Sequence, residues 1–414
     1  MPELFTVVPP SEAFAALLRR CSPVQRVETV PLQAALGRVC ADAIVADETL
    51  PAFPRATMDG YAVRAADTFG ASDAAPAYLR LAGEALMGTV PGALEGAQSA
   101  MRIHTGAMLP RGADAVLMVE ETNLHGMEVE VLRGAAVGEN VLVIGEDVLA
   151  GAPAVAAGVR LRAADLGGLA AIGCTDVHVV ARPCVAVLST GDEVVPVQAR
   201  PRLAQVRDVN ATTIGATIER AGGSAHHAGI VPDDEELLFA AARAALAAAD
   251  ALVLSAGSSV SMRDLTARVV DRLGPPGVFV HGIAIKPGKP TVLAVCDGKP
   301  VIGLPGNPAS ALVLAWRIVR PLVRYLGGEQ VDDDGGDDAC GCDAELTANV
   351  PSRPGREDYI PATLERGPDK VLRATPLFGS SNLIFTLVRA GGAIVVPADR
   401  SGLAAGERAR IVQF

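Results

Sequence analysis

Apolar runs broken by Gly-, Ser- and Pro-rich loops organise the chain, and they are clearest between residues 251 and 312. Ala251 to Leu254 is a short continuous apolar run, the pattern of a central parallel strand covered on both faces. Ser255, Gly257, Ser258, Ser259 and Ser261 follow as a small-residue loop, and a helix predicted to start near Arg263 puts Asp264 in its first turn. Val301 to Leu304 is another strand. It breaks at Leu304-Pro-Gly-Asn-Pro-Ala-Ser310, with Asn307 at the N-cap and Pro308 at the first position of an apolar helix that passes Trp316 and ends near Gly327-Gly328. Upstream, Cys184 to Ser189 reads as a buried strand, and Asn210 caps a helix ending at Gly222-Gly223. His226 and His227 lie on or near the next strand, and Asp233 and Asp234 open an alanine-rich helix to Ala249. Strand and helix alternating at this spacing predict a three-layer parallel sheet with right-handed crossovers, whose ligands bind beyond the carboxyl ends of the strands.

The flanking segments follow other periods. Ser11 is predicted to cap a helix through Arg20 with Phe14, Leu17 and Leu18 on one face, and Val27 to Val30 comes next as a strand. From Thr49 to Asn140 short alternating segments such as Tyr78 to Gly83 and Met127 to Leu132 predict a small all-β module. Gly138 to Gly173 adds two β-like runs and a short helix around Leu166 to Ile172. The acidic run Asp332 to Asp338 reads as a linker or hairpin tip. Beyond Glu345 the chain is β-rich again, with Ala393 to Val396 and Arg410 to Val412 as strands of a small barrel.

Charge and composition narrow the chemistry. The 414 residues suffice for two to four domains, and a net charge of −11 argues against nucleic acid as the main partner. No signal peptide and no long uncharged apolar run is visible, so a cytoplasmic protein that does not enter a membrane is expected, and the seven cysteines fit reduced thiols. The Cys340-Gly-Cys342 pair beside the acidic run reads as a surface loop. Adjacent residues on a strand face opposite ways, so His226 and His227 cannot share a metal and read as structural. Only four lysines occur, and two of them stand in Lys286-Pro-Gly-Lys289-Pro290, a proline-stiffened loop suited to an oxyanion. The serine-rich loop has the donors to wrap a phosphate, and Asp264 either caps the helix or holds a divalent cation against that phosphate. Met58-Asp59-Gly60-Tyr61 and Thr105-Gly106 read as turns, and one of Glu120 and Glu121 is expected to face solvent.

Taken together, STGDE (189–193), VRDVN (206–210), the serine-rich loop ending in Asp264, IKPGKP (285–290) and GLPGNPASAL (303–312) resemble the molybdopterin molybdenumtransferase family, MoeA, to which the C-terminal domain of gephyrin belongs. TMDGYAVR (57–64), IHTGAMLPRGADAVLMVEET (103–122), GENVLVIGEDV (138–148) and GREDY (355–359) extend the resemblance over nearly the whole chain. It implies an elongated N-terminal domain from 1–48 and 141–178, an inserted β module at 49–140, an α/β molybdopterin-binding domain at 179–328 and a C-terminal β-barrel at 329–414. It further implies an enzyme of molybdenum cofactor biosynthesis that inserts molybdate into adenylylated molybdopterin and releases AMP, with Mg2+ as cofactor. The family pattern makes Asp264 and Asp59 catalytic, with Asp264 on the metal. Thr105, Thr190, Gly191, Asp192, Glu193, Asp208, Asn210, Ser255, Gly257, Ser258, Ser259, Asn307, Pro308 and Ser310 correspond to substrate positions. Lys286, Lys289, Pro290, Arg356, Ser380 and Ser381 correspond to molybdate positions. A homodimer is implied, because the family's β module lies over the partner's cleft, and so are a molybdopterin adenylyltransferase and recipient molybdoenzymes as partners.

Ala256 and Ser261 stand where most members have glycine, and Ser258 where they have valine. A methyl at 256 narrows the approach of backbone to a phosphate. Three other activities remain open at this level: tungstate insertion by the same chemistry, the adenylyltransferase reaction on a similar domain, and a non-catalytic scaffold. The β module and the GREDY region argue against the adenylyltransferase, which lacks both, and the absence of a fused partner domain argues against the scaffold.

Overall fold

Ala251–Ala256 occupies an inner position of a six-stranded sheet in the computed structural model, which describes residues 7–257, 260–332 and 341–413. The sheet order is Ser224–Val231, Cys184–Thr190, Ala251–Ala256, Lys299–Pro305, Val292–Cys296, Pro276–His281. All six residues of Ala251–Ala256 are buried, as a strand covered on both faces requires. The first four strands are parallel, as expected; Val292–Cys296 runs the other way, so the last two pairings are antiparallel. Cys296 pairs with Lys299 across Asp297-Gly298, and both turn residues have positive φ (50° and 81°), the conformation of a two-residue hairpin. An Asp-Gly turn therefore makes this end of the sheet antiparallel, a correction to the all-parallel expectation.

Helices cover both faces. Phe14, Leu17, Ile214, Ile218, Trp316 and Leu322 belong to the core on one side, and Leu238, Ala242, Leu265 and Val269 to the core on the other. Several helix starts differ from the expectations. Pro10–Leu18 begins at a proline without a side-chain cap, so Ser11 lies inside the helix. Asn210 is the first residue of Asn210–Arg220, and the capping carboxylate is Asp208, whose Oδ1 accepts from the Ala211 N–H (3.0 Å). Asp234 caps Glu235–Ala248 by accepting from the N–H groups of Glu236 and Leu237. Val260–Asp271 starts three residues earlier than Arg263, so Asp264 stands in the second turn and cannot cap. After Pro308–Leu314 the helix passes through a π turn, Ala315–Val319, ahead of Pro321, which has no N–H to donate, and continues as Arg320–Leu326. His226 and His227 lie on the edge strand. The His227 ring packs against Gly215, where a Cβ would stand 2.8 Å from its Cε1, a structural role.

The C-terminal strands close into a barrel. Glu357–Arg366, Leu372–Pro376, Gly341–Leu346, Arg408–Val412 and Gly392–Val396 pair in that order, and the last returns to the first. Ile285–Lys286 joins this barrel as an extra parallel strand on Glu357–Asp358. The acidic segment falls largely outside the described residues, as does Cys340.

Two compact units divide the chain: 1–41, 158–162 and 177–414 form the first, and 42–157 with 163–176 the second. The second is built on another six-stranded sheet, ordered Ala115–Met118, Gly60–Val63, Ser99–Ile103, Ala77–Ala85, Glu128–Val131, Thr122–His125, around Tyr61, Val63, Leu79 and Leu117. Among the described residues no helix is long and apolar enough to cross a membrane, and the six cysteines are free.

Candidate functional site

Pairing of Ile285–Lys286 with Glu357–Asp358 brings the KPGKP loop against the GREDY segment and opens a cleft of about 640 Å³ in the first unit. Lys286, Lys289, Pro290, Arg356, Ser380 and Ser381, the six positions singled out for an oxyanion, all line it, together with Asn307 and Ser310. The loop is fixed from within: Thr291 Oγ1 donates to the Gly288 carbonyl (2.7 Å) and the Ile283 N–H to the Lys289 carbonyl (2.9 Å). Both lysines are exposed, and neither has a hydrogen-bond or ion-pair partner among the described residues. Arg356 is already engaged. Its Nε and Nη2 donate to the two oxygens of buried Asp358 (2.7 and 3.2 Å).

Ser381 is held by the helix that Pro308 opens. Its carbonyl accepts from the Ala309 N–H (3.0 Å) and its hydroxyl from Asn307 Nδ2 (3.1 Å). Asn307 stands at the N-cap but makes no side-chain cap, because its amide is turned to Ser381 instead. Ile360, Leu377 and Leu387 give the cleft an apolar wall.

The carboxyl ends of the sheet strands carry a second polar group. Asn210 Nδ2 donates to Ser255 Oγ (2.9 Å) and to the Gly306 carbonyl (2.8 Å), tying three strand-end segments together. Gly306 is required there, since a Cβ would lie 2.9 Å from the Ala256 carbonyl oxygen. Asn210 Oδ1 and Ser189 Oγ are buried without a partner among the described residues. The STGDE and VRDVN segments meet through a short parallel pairing of Val194–Val195 with Val206–Arg207. Thr190 Oγ1 donates to Asp233 Oδ1 (2.9 Å), and Asp192 Oδ1 accepts from the Asp233 N–H (3.2 Å). Burial, and then the nearby charges of Asp192 and Glu193, push the Asp233 carboxyl above the usual carboxylate range. Gly191 and Glu193 sit in this turn, Pro308 and buried Ser310 at the helix start, and Gly257 at the end of the described strand. Ser258 and Ser259 lie outside the described residues. Asp264 is half-buried and has no partner among those described.

In the second unit, Asp59 Oδ1 accepts from both the N–H (2.7 Å) and the hydroxyl (2.9 Å) of Thr105, so TMDGY and TGA form one exposed site. The Thr105 N–H, then its hydroxyl, hold the Asp59 carboxyl below the usual range. His104, which was not singled out, adds its ring: Nδ1 lies 3.9 Å from Asp59 and Nε2 2.9 Å from Glu84. Glu120 is the solvent-facing member of its pair, and Glu121 is bound by Arg133 (2.6 Å). Among the described residues no cluster of three or more His, Cys, Asp or Glu can hold a metal. Asp264 contributes a single carboxylate, and a Mg2+ shared with substrate phosphates needs only one or two from the protein.

An α/β sheet with polar strand ends, joined through one strand to a β-barrel across a cleft that carries Lys286, Lys289 and Arg356, sets the structural class of the chain. Comparison with known families narrows that class. The MoeA N-terminal region (domain I and II) matches residues 8–173, the probable molybdopterin binding domain 186–325 and the MoeA C-terminal region (domain IV) 343–414. A molybdopterin molybdenumtransferase of Haemophilus influenzae is 32% identical over 97% of this chain and 98% of that protein. Two crystal structures of molybdopterin biosynthesis MoeA proteins from Pyrococcus horikoshii superpose with TM-scores of 0.78 and 0.84, at 36% and 28% identity. Each alignment covers 99% of this chain, and 99% and 100% of theirs. The chain belongs to the MoeA family of molybdopterin molybdenumtransferases.

Proposed function

We propose that the chain is a molybdopterin molybdenumtransferase acting in molybdenum cofactor biosynthesis: it inserts molybdate into adenylylated molybdopterin, and the phosphoanhydride is cleaved to release AMP. The observation that carries this reading is the pair of lysines on the KPGKP loop, unpartnered among the described residues and set in one cleft with Arg356, Ser380 and Ser381. A tetrahedral dianion loses hydration on entering such a cleft. Two ammonium groups, an arginine and serine hydroxyls replace that hydration. The polar strand ends around Ser255, Asn210 and Gly306 offer a separate place for the phosphates of the nucleotide, so positioning and electrostatic stabilisation carry the chemistry. When bound at Asp264, Mg2+ supplies charge neutralisation for those phosphates. A cytoplasmic site of action belongs to the same reading, as do a molybdopterin adenylyltransferase as supplier and molybdoenzymes as recipients.

Lys289→Ala tests the assignment of the cleft. Losing one charged contact weakens molybdate binding about tenfold or more, while the affinity for the pterin nucleotide stays the same. Calorimetry with each ligand decides it: unchanged molybdate affinity, or equal losses for both ligands, places the oxyanion elsewhere.

A homodimer with shared sites is part of the proposal and has its own test. An Asp59→Ala subunit mixed with an Asp264→Ala subunit is expected to recover about one working site per heterodimer, since each subunit keeps the residue that the other lacks. Absence of recovery after subunit exchange means that both residues serve from one chain.

A further inference from the structure

Asp358 is a buried carboxylate inside a cleft that otherwise gathers positive charge, and the proposed reaction assigns it no task. The charged residues lining the cleft are Lys286, Lys289, Arg356 and Asp358. Asp358 is 2% exposed, and its backbone is fixed on both sides: it pairs with Lys286 on one neighbouring strand and with Val396 on the other. Arg356 has no such support. It precedes the first residue of Glu357–Arg366, in a loop whose Gly355 has φ +91°, so the ladder does not hold it. Its only hydrogen-bonding partner among the described residues is Asp358. Each Asp358 oxygen takes one bond of that fork, and Lys286, opposite Asp358 in the ladder, has no partner among the described residues. The fork takes Arg356 Nε and Nη2 and leaves Nη1 without an acceptor among the described residues.

We propose that Asp358 is the positioning residue of the oxyanion cleft, anchoring Arg356 from the rigid barrel strand so that its remaining N–H groups meet the tetrahedral anion. The inference rests on the reading of the cleft as the oxyanion site. It gives an outcome whose sign separates positioning from plain charge. Removing a negative charge from a cationic cleft tightens an anion if charge alone matters. Removing the anchor of a mobile arginine loosens the anion, because its long side chain must then be ordered on binding.

The experiment is calorimetry with sodium molybdate on the full chain, using wild type, Asp358→Asn, Arg356→Ala, the double variant and Arg356→Lys. Asp358→Asn is expected to bind molybdate about tenfold more weakly, with the affinity for the pterin nucleotide unchanged. In the Arg356→Ala background the same change is expected to have no further effect. Arg356→Lys keeps the charge without the fork and is expected to lose as much as Arg356→Ala, an arm that does not depend on Asp358→Asn folding. Tighter or unchanged binding by Asp358→Asn, an equal effect of Asp358→Asn in both backgrounds, or full affinity in Arg356→Lys overturns the proposal. If wild type fails to bind molybdate, or Lys289→Ala binds it unchanged, the reading of the cleft fails first; if both behave as expected, only the role of Asp358 is at stake.

Discussion

Asp264→Asn is expected to slow turnover of adenylylated molybdopterin by about two to three orders of magnitude while leaving the fold intact. Asp264 stands in the second turn of Val260–Asp271, past the cap positions, and makes no hydrogen bond or ion pair among the described residues. Asparagine has the same shape and nearly the same helix propensity, so the stability change stays within a few tenths of a kcal/mol. What is lost is the charge that would hold Mg2+ against the substrate phosphates. Removing one preorganised electrostatic contact of this kind costs about 10²–10³ in rate. AMP release with Mg2+ present, alongside a thermal melt of the same preparation, checks both halves. Wild-type turnover by the variant removes Asp264 from the mechanism.

Glu329→Ala is expected to destabilise the first unit by about 3 kcal/mol, the lower end of what breaking a buried ion pair costs. Glu329 is 7% exposed and accepts from Arg160 Nε on one oxygen and Arg324 Nε on the other. Arg160 also donates to the carbonyls of Gly37 (2.8 Å) and Ala221 (2.7 Å), so this carboxylate fastens the 158–162 segment to the helix ends of the α/β domain. Truncation leaves two guanidinium groups without their carboxylate. Each keeps about three-tenths of its side-chain surface exposed, which limits the loss. The chain has one tryptophan, Trp316, in the same unit, and its fluorescence during urea unfolding reports the change directly. A midpoint equal to that of wild type contradicts the buried triad.

Much of the fold was legible because it is written in short-range pattern. The apolar run at Ala251, the capping carboxylate at Asp234 and the Phe14, Leu17, Leu18 face are local signals, and the structure follows them. The signal for the antiparallel end of the α/β sheet is equally local, in the Asp297-Gly298 turn, but the strand-helix period before it points to a parallel sheet throughout. The cleft depended on a different kind of information. Motif resemblance named Lys286, Lys289, Arg356, Ser380 and Ser381, but nothing in their spacing brings a loop at 286 to a segment at 356 or 380; the Ile285–Lys286 pairing with Glu357–Asp358 does that. Asp59 and Thr105, 46 positions apart, likewise read as two separate turns in sequence, and only the fold brings the carboxylate to accept from the threonine. Asp358 and His104 lie inside the GREDY and IHTGA stretches without a role that the sequence assigns, since a carboxylate on a strand or a histidine beside a turn carries no signal apart from its partners.

The central claim is that this chain couples oxyanion insertion to cleavage of the pterin nucleotide. AMP release and protein-associated molybdenum, measured together in one reaction with adenylylated molybdopterin, Mg2+ and increasing molybdate, test it most directly. The account predicts that AMP appears in step with incorporated molybdenum, about one for one, and falls away when molybdate is omitted. AMP released at the same rate without molybdate, or molybdenum taken up with the nucleotide intact, contradicts it.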